Sequence, residues 1–233
     1  MDSQGEEKFS EFYERWIRQL EGHLRLLLVA PPQQQQQHSG EADFRPIVNK
    51  LTAHHKEYYR IKWASAQNDA LPFFAPEWLS PLENAYLWVT GWKPSLAFRL
   101  LDSLKEARSE SGSSLAGLSE DQVRGIEALR VRIKAEEERV EREMERQQVA
   151  MADRKMVELA RLDGEAAEVE VEVEVALKGL VAGMEKVMKM ADCVRLKTMK
   201  GVLDVLSPMQ CVQFLAATSM MQIQMRKWGK VTK

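Results

Sequence analysis

The chain has 233 residues, 45% of them hydrophobic, so it is long and apolar enough to bury a sizeable core. Its 33 basic side chains balance 35 acidic ones, a formal net charge of −2, whereas a dedicated DNA-binding module carries a basic excess that neutralises phosphates. The chain has only two cysteines, without metal-ligand spacing, and a polar N-terminus, which argues against a disulfide-rich secreted domain. It has no apolar run of roughly 20 residues, which argues against a membrane span. We therefore predict a location in the nucleus and/or cytoplasm.

The first predicted helix is amphipathic. Apolar side chains recur in steps of three and four over residues 9–28, which is typical of a helix with one wide buried face. Two prolines and a glutamine tract then predict a solvated loop over about 30–43. A second helix is predicted over about 44–66, and it carries two adjacent histidines, His54 and His55.

A capping motif predicts the start of the third helix. In the sequence SPLE, the Ser80 hydroxyl can accept from the N3 amide, Glu83 can reach back, and Pro81 fits the first helical position. We expect this helix to continue to Gly91, which suits a left-handed C-cap. Pro94 then occupies the first position of the next helix.

The predicted helix ends meet at a tight corner that Trp88 and Trp92 flank. These aromatics either line an apolar pocket or simply fill a structural corner, and the second interpretation is favoured because large aromatics usually contribute burial first. Together with the neighbouring Lys93, they are the candidate partner or ligand surface.

A second capping motif begins the longest predicted helix. After a flexible loop over about 107–118, Ser119 and Gln122 are spaced as a capping box. Nothing breaks the helical pattern from there to about residue 162. Glu137 and Gln147 interrupt its thin apolar stripe, so homo-dimerisation through a coiled coil is only weakly indicated and stays an open alternative.

Valine and glutamate alternate over residues 168–175, a pattern typical of a strand. The sequence offers no second strand to pair with it, so we interpret the segment as the lead-in to a helix over about 176–206. Ser207 and Gln210 repeat the capping pattern, and the last predicted helix ends at Gly229.

These elements predict an all-α fold, a multi-helix bundle of about seven helices that includes one long charged helix. We expect one helical domain over residues 1–233, interrupted by the two loops.

Catalytic motifs are not found in the sequence. It contains no GxSxG, no phosphate-binding glycine loop and no HExxH, and its glutamates lie among arginines and lysines on helix surfaces. We therefore predict that the chain is not an enzyme.

The histidine pair is the only set of adjacent candidate ligands. Because His54 and His55 are consecutive, they point about 100° apart on a helix and cannot hold one metal ion together. We expect one of them to face the core and to form a hydrogen bond there. The alternative is a small-ligand sensor that holds haem or a lipid near the histidines, Trp88 and Trp92.

Several segments in order resemble the plant Delay-of-Germination-like family, whose domain also forms the C-terminal half of TGA-type bZIP transcription factors. The resemblance covers residues from about 9 to 229. Its segments are FYERWIRQLEGHLRLLL, HHKEYYRIKWASA, WLSPLENAYLWVTGWKPSLAFRLL, LSEDQVRGIEALRVRIKAEEERV and DCVRLKTMKGVLDVLSPMQCVQFLAA.

The resemblance implies a regulatory helical domain that acts in seed dormancy, germination and abscisic acid signalling by binding protein partners. These partners would be type 2C phosphatases, TGA-type bZIP factors or co-regulators. Roles in seed maturation or pollen aperture placement are alternatives. Sequence-specific DNA binding is a weaker implication, because the bZIP segment that reads DNA is missing here. Haem binding is reported for the founding member through histidines near its C-terminus, but no histidine follows Ser207 in this chain, which leaves only His54 or His55.

Overall fold

The computed structural model describes residues 3–29, 44–67, 69–106, 114–161 and 167–231, and the loop predicted over about 30–43 lies outside them. The named elements of these residues are all helical, which confirms the predicted all-α class. They are α1 (Ser3–Val29), α2 (Arg45–Ser65), α3 (Pro81–Ala85), α4 (Leu96–Glu106), α5 (Glu120–Ala150), α6 (Arg154–Arg161), α7 (Ala167–Val205), α8 (Pro208–Val231) and two 3-10 turns, Leu71–Phe73 and Ser114–Gly117. Within the described ranges, none of the helices has the length and apolarity needed to cross a bilayer.

Helices α5 and α7 lie antiparallel and in close contact. A glycine allows the approach, because a Cβ atom at Gly201 of α7 would lie only 2.7 Å from a methyl carbon of Leu129 on α5. Further along, Lys197 of α7 pairs with Glu136 of α5 at 2.6 Å. Among the side chains described in α7, residues 171–205, burial begins at Val187, so residues 171–186 contribute little to the core.

The predicted unbroken helix to about residue 162 is wrong. The long helix α5 ends at Ala150, and hydrogen bonds between residues three apart form a turn over 151–153. Asp153 directly precedes α6, a position that Asp favours because its side chain competes for backbone amides at helix starts.

The valine–glutamate segment is helical, as its interpretation as a lead-in predicted. Helix α7 begins at Ala167 and continues without interruption to Val205. Val171 and Val175 are largely exposed on it. Strand periodicity therefore does not decide the conformation of this segment, since no strand is available for pairing within the described part of the chain.

The C-terminal helix begins as predicted but does not end at Gly229. The backbone N–H of Ser207 donates to the Gln210 side chain at 2.9 Å, and the Gln210 N–H donates back to the Ser207 hydroxyl at 3.5 Å. Helix α8 continues to Val231. Gly229 serves close packing instead, because a Cβ atom there would lie 1.9 Å from the Ser80 hydroxyl oxygen.

The core consists of three apolar clusters that join the helices. The first, between α4, α5, α7 and α8, is the largest and includes Phe98, Ile133 and Phe214. The second joins α1, α2 and α8 around Leu20, and the third surrounds Phe9.

Part of the loop predicted over about 107–118 is a fixed element of the core. The 3-10 turn Ser114–Gly117 buries Leu115 completely, and the Leu115 N–H donates to the Gln213 side chain of α8 at 3.2 Å.

Candidate interaction site at the tryptophan elbow

The third helix ends earlier than predicted. Helix α3 stops at Ala85, and residues 86–95, here named the tryptophan elbow, connect it to α4. Within the elbow, the Trp88 N–H donates to the Gly91 carbonyl at 2.7 Å and the Gly91 N–H donates to the Trp88 carbonyl at 3.2 Å. The chain therefore forms a small antiparallel loop rather than another turn of helix.

The reason for this early end lies in α7. Arg195 donates from Nη2 to the Trp88 carbonyl at 2.5 Å and from Nε to the Trp92 carbonyl at 2.7 Å. A Cβ atom at Gly91 would lie 3.1 Å from the Arg195 guanidinium carbon, so glycine provides room for the arginine and is not a helix C-cap. Val89 has a φ of 60°, an unusual value for a β-branched residue, and the surrounding contacts hold it in this strained conformation.

A buried charge cluster of Lys62, Asp192 and Arg195 contacts the elbow, and two of its members donate hydrogen bonds to elbow residues. The side chains of all three are at most 1% exposed. Asp192 Oδ1 accepts from Lys62 Nζ at 2.9 Å and from Arg195 Nη1 at 2.6 Å, while Oδ2 accepts from the Trp63 indole N–H at 3.0 Å. One carboxylate thus partly balances two cations that are removed from water.

Lys62 also binds the elbow directly. Its Nζ donates to the Thr90 carbonyl at 3.0 Å and to the Thr90 hydroxyl at 2.8 Å. Burial lowers the pKa of Lys62 to about 8, against the opposing effect of Asp192. A lysine with a lowered pKa is a typical catalytic group, but this amine is 1% exposed and its three donors have partners, so a substrate has no access to it.

The outer face of the elbow contains two of the three predicted surface residues. Glu141 of α5 accepts from the Trp88 indole N–H at 2.8 Å and from Lys93 Nζ at 2.9 Å. The lysine amine lies 5.9 Å from the centre of the Trp88 ring. The hydrogen bond between the two charges raises the pKa of Lys93 and lowers that of Glu141.

Trp92 packs against the first apolar cluster, as Trp88 does, but it has a different polar partner. Its indole N–H donates to the Tyr59 hydroxyl at 3.2 Å, and its ring packs against the first apolar cluster. Of the predicted surface residues, the structure brings Trp88 and Lys93 together at Glu141, whereas Trp92 binds Tyr59.

The sequence predicted Glu137 only as an interruption of the apolar stripe of α5. In the structure, its carboxylate binds the elbow. The buried carboxylate accepts from the Ser95 backbone N–H at 2.6 Å, just before α4 begins. A carboxylate at the first turn of a helix satisfies a free N–H and favours the helix dipole. Burial raises the pKa of Glu137.

The two histidines lie in another part of the bundle, between α1 and α2. The His54 ring stacks flat on the Trp16 ring, with 4.8 Å between centres, and its Nε2 lies 3.1 Å from the Trp16 carbonyl. His55 is 4% exposed, and among the described residues its Nε2 has no hydrogen-bond partner. Burial lowers the pKa of His54 to about 4 and that of His55 to about 3.

The surroundings of these histidines do not fit a haem. An iron ligand needs a free ring nitrogen and open space beside the ring, but His54 uses Nε2 for the Trp16 carbonyl and Trp16 covers its face. The neighbouring cavity, lined by His23 and Leu51 among others, has about 230 Å³, whereas ligand pockets usually have about 300 to 1,000 Å³. Neither His54 nor His55 lines it.

The structure also does not support one haem or lipid site formed by the two histidines together with Trp88 and Trp92. The histidines pack with Trp16 beside the second apolar cluster, whereas Trp88 and Trp92 pack against the first. In the described ranges, no three His, Cys, Asp or Glu side chains are grouped closely enough to hold a metal ion.

Comparison with known proteins identifies relatives of this chain. The family model described as "DOG1: Seed dormancy control" matches residues 23–103, which include the elbow. Protein DOG1-like 4 from Arabidopsis thaliana is 53% identical over 228 residues, which cover 96% of this chain and 93% of that protein. Protein RESPONSE TO ABA AND SALT 1 from the same plant is 26% identical, with 94% of each chain covered.

A transcription factor also shares the domain. Transcription factor TGA2 from Arabidopsis thaliana is 26% identical over 90% of this chain, but the match covers only 59% of TGA2. The class defined here is thus an all-α bundle related to plant regulators of seed dormancy, abscisic acid response and transcription. The chain belongs to the DOG1-like family, which confirms the predicted resemblance and supports a regulatory role.

Proposed function

We propose that this chain is a non-enzymatic regulatory protein that acts by binding other proteins, and that the outer face of the tryptophan elbow is one contact surface. The observation that carries the proposal is the buried charge cluster, which fixes a strained loop and presents Trp88 beside the Lys93–Glu141 pair. Aromatic side chains on a preorganised surface are frequent binding hot spots, because little entropy is lost when they bind.

The relatives suggest the process and the partners. We propose a role in seed dormancy, germination and abscisic acid signalling, with type 2C phosphatases and TGA-type bZIP factors or co-regulators as partners, in the nucleus and/or cytoplasm. The names of the DOG1-like, abscisic acid and TGA relatives support this proposal. We also propose that residues 1–233 act as one helical domain, because the charge cluster joins α2, the elbow and α7.

A calorimetric titration tests this function. Type 2C phosphatases of the abscisic acid pathway and TGA factors would be titrated with the wild-type chain, Lys93→Glu and Lys56→Glu. Lys93→Glu places a second negative charge beside Glu141, so we expect binding about tenfold weaker. Lys56→Glu is the matched control, since Lys56 is exposed on α2 outside the elbow. If the wild-type chain bound neither protein class, or if Lys93→Glu bound as tightly as the wild type, the proposal would be wrong.

The likeness to TGA2 favours a second candidate, a DNA-associated regulator of transcription. With a net charge of −2, the chain is better suited to reach DNA through a bound bZIP factor than to neutralise phosphates itself. A mobility-shift assay separates the alternatives, with labelled DNA that contains TGACG, the sequence in the name of the Nicotiana tabacum relative TGACG-sequence-specific DNA-binding protein TGA-2.1. We expect no shift with the chain alone and a supershift when a TGA factor is present. A salt-sensitive shift with the chain alone would instead indicate direct DNA binding.

A further inference from the structure

A groove of about 520 Å³ lies along α5 and α7, and no residue of the tryptophan elbow lines it. On α7 the lining residues recur every three or four positions from Ala182 to Lys197. This face borders the one that Val187, Ala191 and Arg195 bury in the bundle, and the two faces meet at Val194. The lined segment is about 22 Å long, which corresponds to four turns of a helix.

The floor of the groove is apolar. Val140 and Val194 line the groove but belong to the first apolar cluster and are at most 3% exposed, so Met190 and Ala182 provide its accessible apolar surface. A methionine at such a position adapts to different apolar partners because its side chain is flexible.

The rims of the groove carry more positive than negative charge. The lining residues include four cations, Arg139, Lys186, Lys189 and Lys197, and two carboxylates, Glu136 and Glu185. Three of the four cations already have a carboxylate partner: Lys197 pairs with Glu136 and Lys189 with Glu185, each at 2.6 Å, and Lys186 pairs with Glu143 at 3.2 Å. Arg139 has no carboxylate within ion-pair distance in the part of the chain that the structure describes.

We propose that this groove binds an amphipathic helix of a partner protein, with apolar residues against Ala182 and Met190 and with acidic residues facing Arg139 and Lys186. A helix in a groove between two helices completes a three-helix arrangement and is a recurring mode of peptide recognition. The charge of the rims selects an acidic helix over a basic one, because like charges at a rim oppose association. The surface is additional to the elbow and does not depend on the function proposed for it.

Cys193 provides a reporter for occupancy. Its side chain is exposed and lines the groove, whereas the second cysteine, Cys211, is buried. A maleimide reagent therefore reacts first at Cys193 in the folded chain, and a Cys193→Ser variant measures the background. A helix that lies in the groove slows this reaction.

The experiment is a selection from a displayed library of 18-residue amphipathic helices with randomised flanking charges. The full chain serves as target, and the variant Arg139→Glu/Lys186→Glu serves for counterselection. We expect the selected helices to be rich in Asp and Glu, to slow the alkylation of Cys193 and to bind the variant about tenfold more weakly. The matched control is Lys134→Glu/Lys155→Glu, which reverses two exposed lysines that do not line the groove. Circular dichroism confirms that each variant is folded.

Three results overturn the proposal. The first is that no selected helix binds the wild-type chain more tightly than it binds the Arg139→Glu/Lys186→Glu variant. The second is a set of selected helices that are basic, or that leave the alkylation rate of Cys193 unchanged. The third is protection of Cys193 that increases with the concentration of the chain itself, which assigns the groove to a second copy.

Discussion

The two ends of α7 carry charged side chains in opposite environments. Towards its C-terminus, Asp192 and Arg195 are buried and bind each other, Lys62 and the elbow carbonyls. Towards its N-terminus, Glu174 and Lys178 form an ion pair of similar length, 2.7 Å, but their side chains are 62% and 73% exposed. From this comparison we expect that burial, rather than the number of ion pairs, decides which charges support the fold.

The largest effect is expected from the buried carboxylate. Asp192→Asn leaves Lys62 and Arg195 buried without a counter-charge, so we expect the free energy of unfolding to fall by about 3 to 5 kcal/mol. Urea denaturation followed by circular dichroism measures it. Glu174→Gln on the same helix is the matched control and should change stability by less than about 0.5 kcal/mol. Equal losses for both variants would contradict the comparison.

The two buried histidines, His54 and His55, should lower the free energy of unfolding at acidic pH. Burial places the pKa of His54 at about 4 and that of His55 at about 3, below the value of about 6.5 for an unfolded histidine. The unfolded chain therefore binds more protons between these values, so stability is complete above pH 6.5 and falls as the pH decreases. At pH 5 each histidine should cost about 2 kcal/mol relative to neutral pH.

Urea denaturation at pH 7 and pH 5 tests this acid dependence. His55→Leu should remove roughly half of the histidine contribution, because one titrating group is lost. Unchanged stability between the two pH values, or an unchanged pH dependence in His55→Leu, would show that the histidines are not buried in neutral form.

Substitutions at two glycines of α7 compare its buried and exposed parts, with smaller expected changes in stability. Gly201→Ala places a Cβ atom 2.7 Å from a Leu129 methyl group, so overpacking should exceed the gain in helix propensity and destabilise the fold by about 1 kcal/mol. Gly179→Ala meets no atom within 4 Å and should stabilise it by up to about 1 kcal/mol. Thermal denaturation of both variants measures the difference. Effects of the same sign would contradict the proposed packing.

The smallest effect is expected in the valine–glutamate segment. Val171 is exposed on α7, and β-branched residues lose side-chain entropy in a helix, so Val171→Ala should stabilise the fold by a few tenths of a kcal/mol. Thermal denaturation can detect this change as a small rise in the midpoint. A clear loss of stability would indicate that Val171 packs against another surface.

Features that depend on neighbours in the sequence were predictable. The capping boxes at Ser80 and Ser119 and the reciprocal bonds at Ser207 join residues three apart, and all of them form as the sequence indicates. The helical class and the lead-in role of the valine–glutamate segment likewise follow from periodicity and from the lack of a partner strand.

Features that depend on distant residues were not predictable. Gly91 fits a helix C-cap as well as a loop, and the choice is made by Arg195, which binds the Trp88 carbonyl from 107 positions away. Glu141 and Asp192 resemble the other charged residues of their helices in sequence, and only the fold shows that they bind the elbow and Lys62. The sequence placed Trp88 and Lys93 together in the corner, but it did not show Glu141 as their common partner.

Hydrogen exchange of the elbow amides tests most directly whether the buried charge cluster holds the elbow in place. It would be measured on the wild-type chain, Asp192→Asn and Glu174→Gln under conditions in which all three are folded. We predict that Asp192→Asn increases exchange at residues 86–95 and leaves the first half of α7 unchanged, while Glu174→Gln leaves the elbow as in the wild type. Wild-type protection of the elbow in Asp192→Asn would contradict the account.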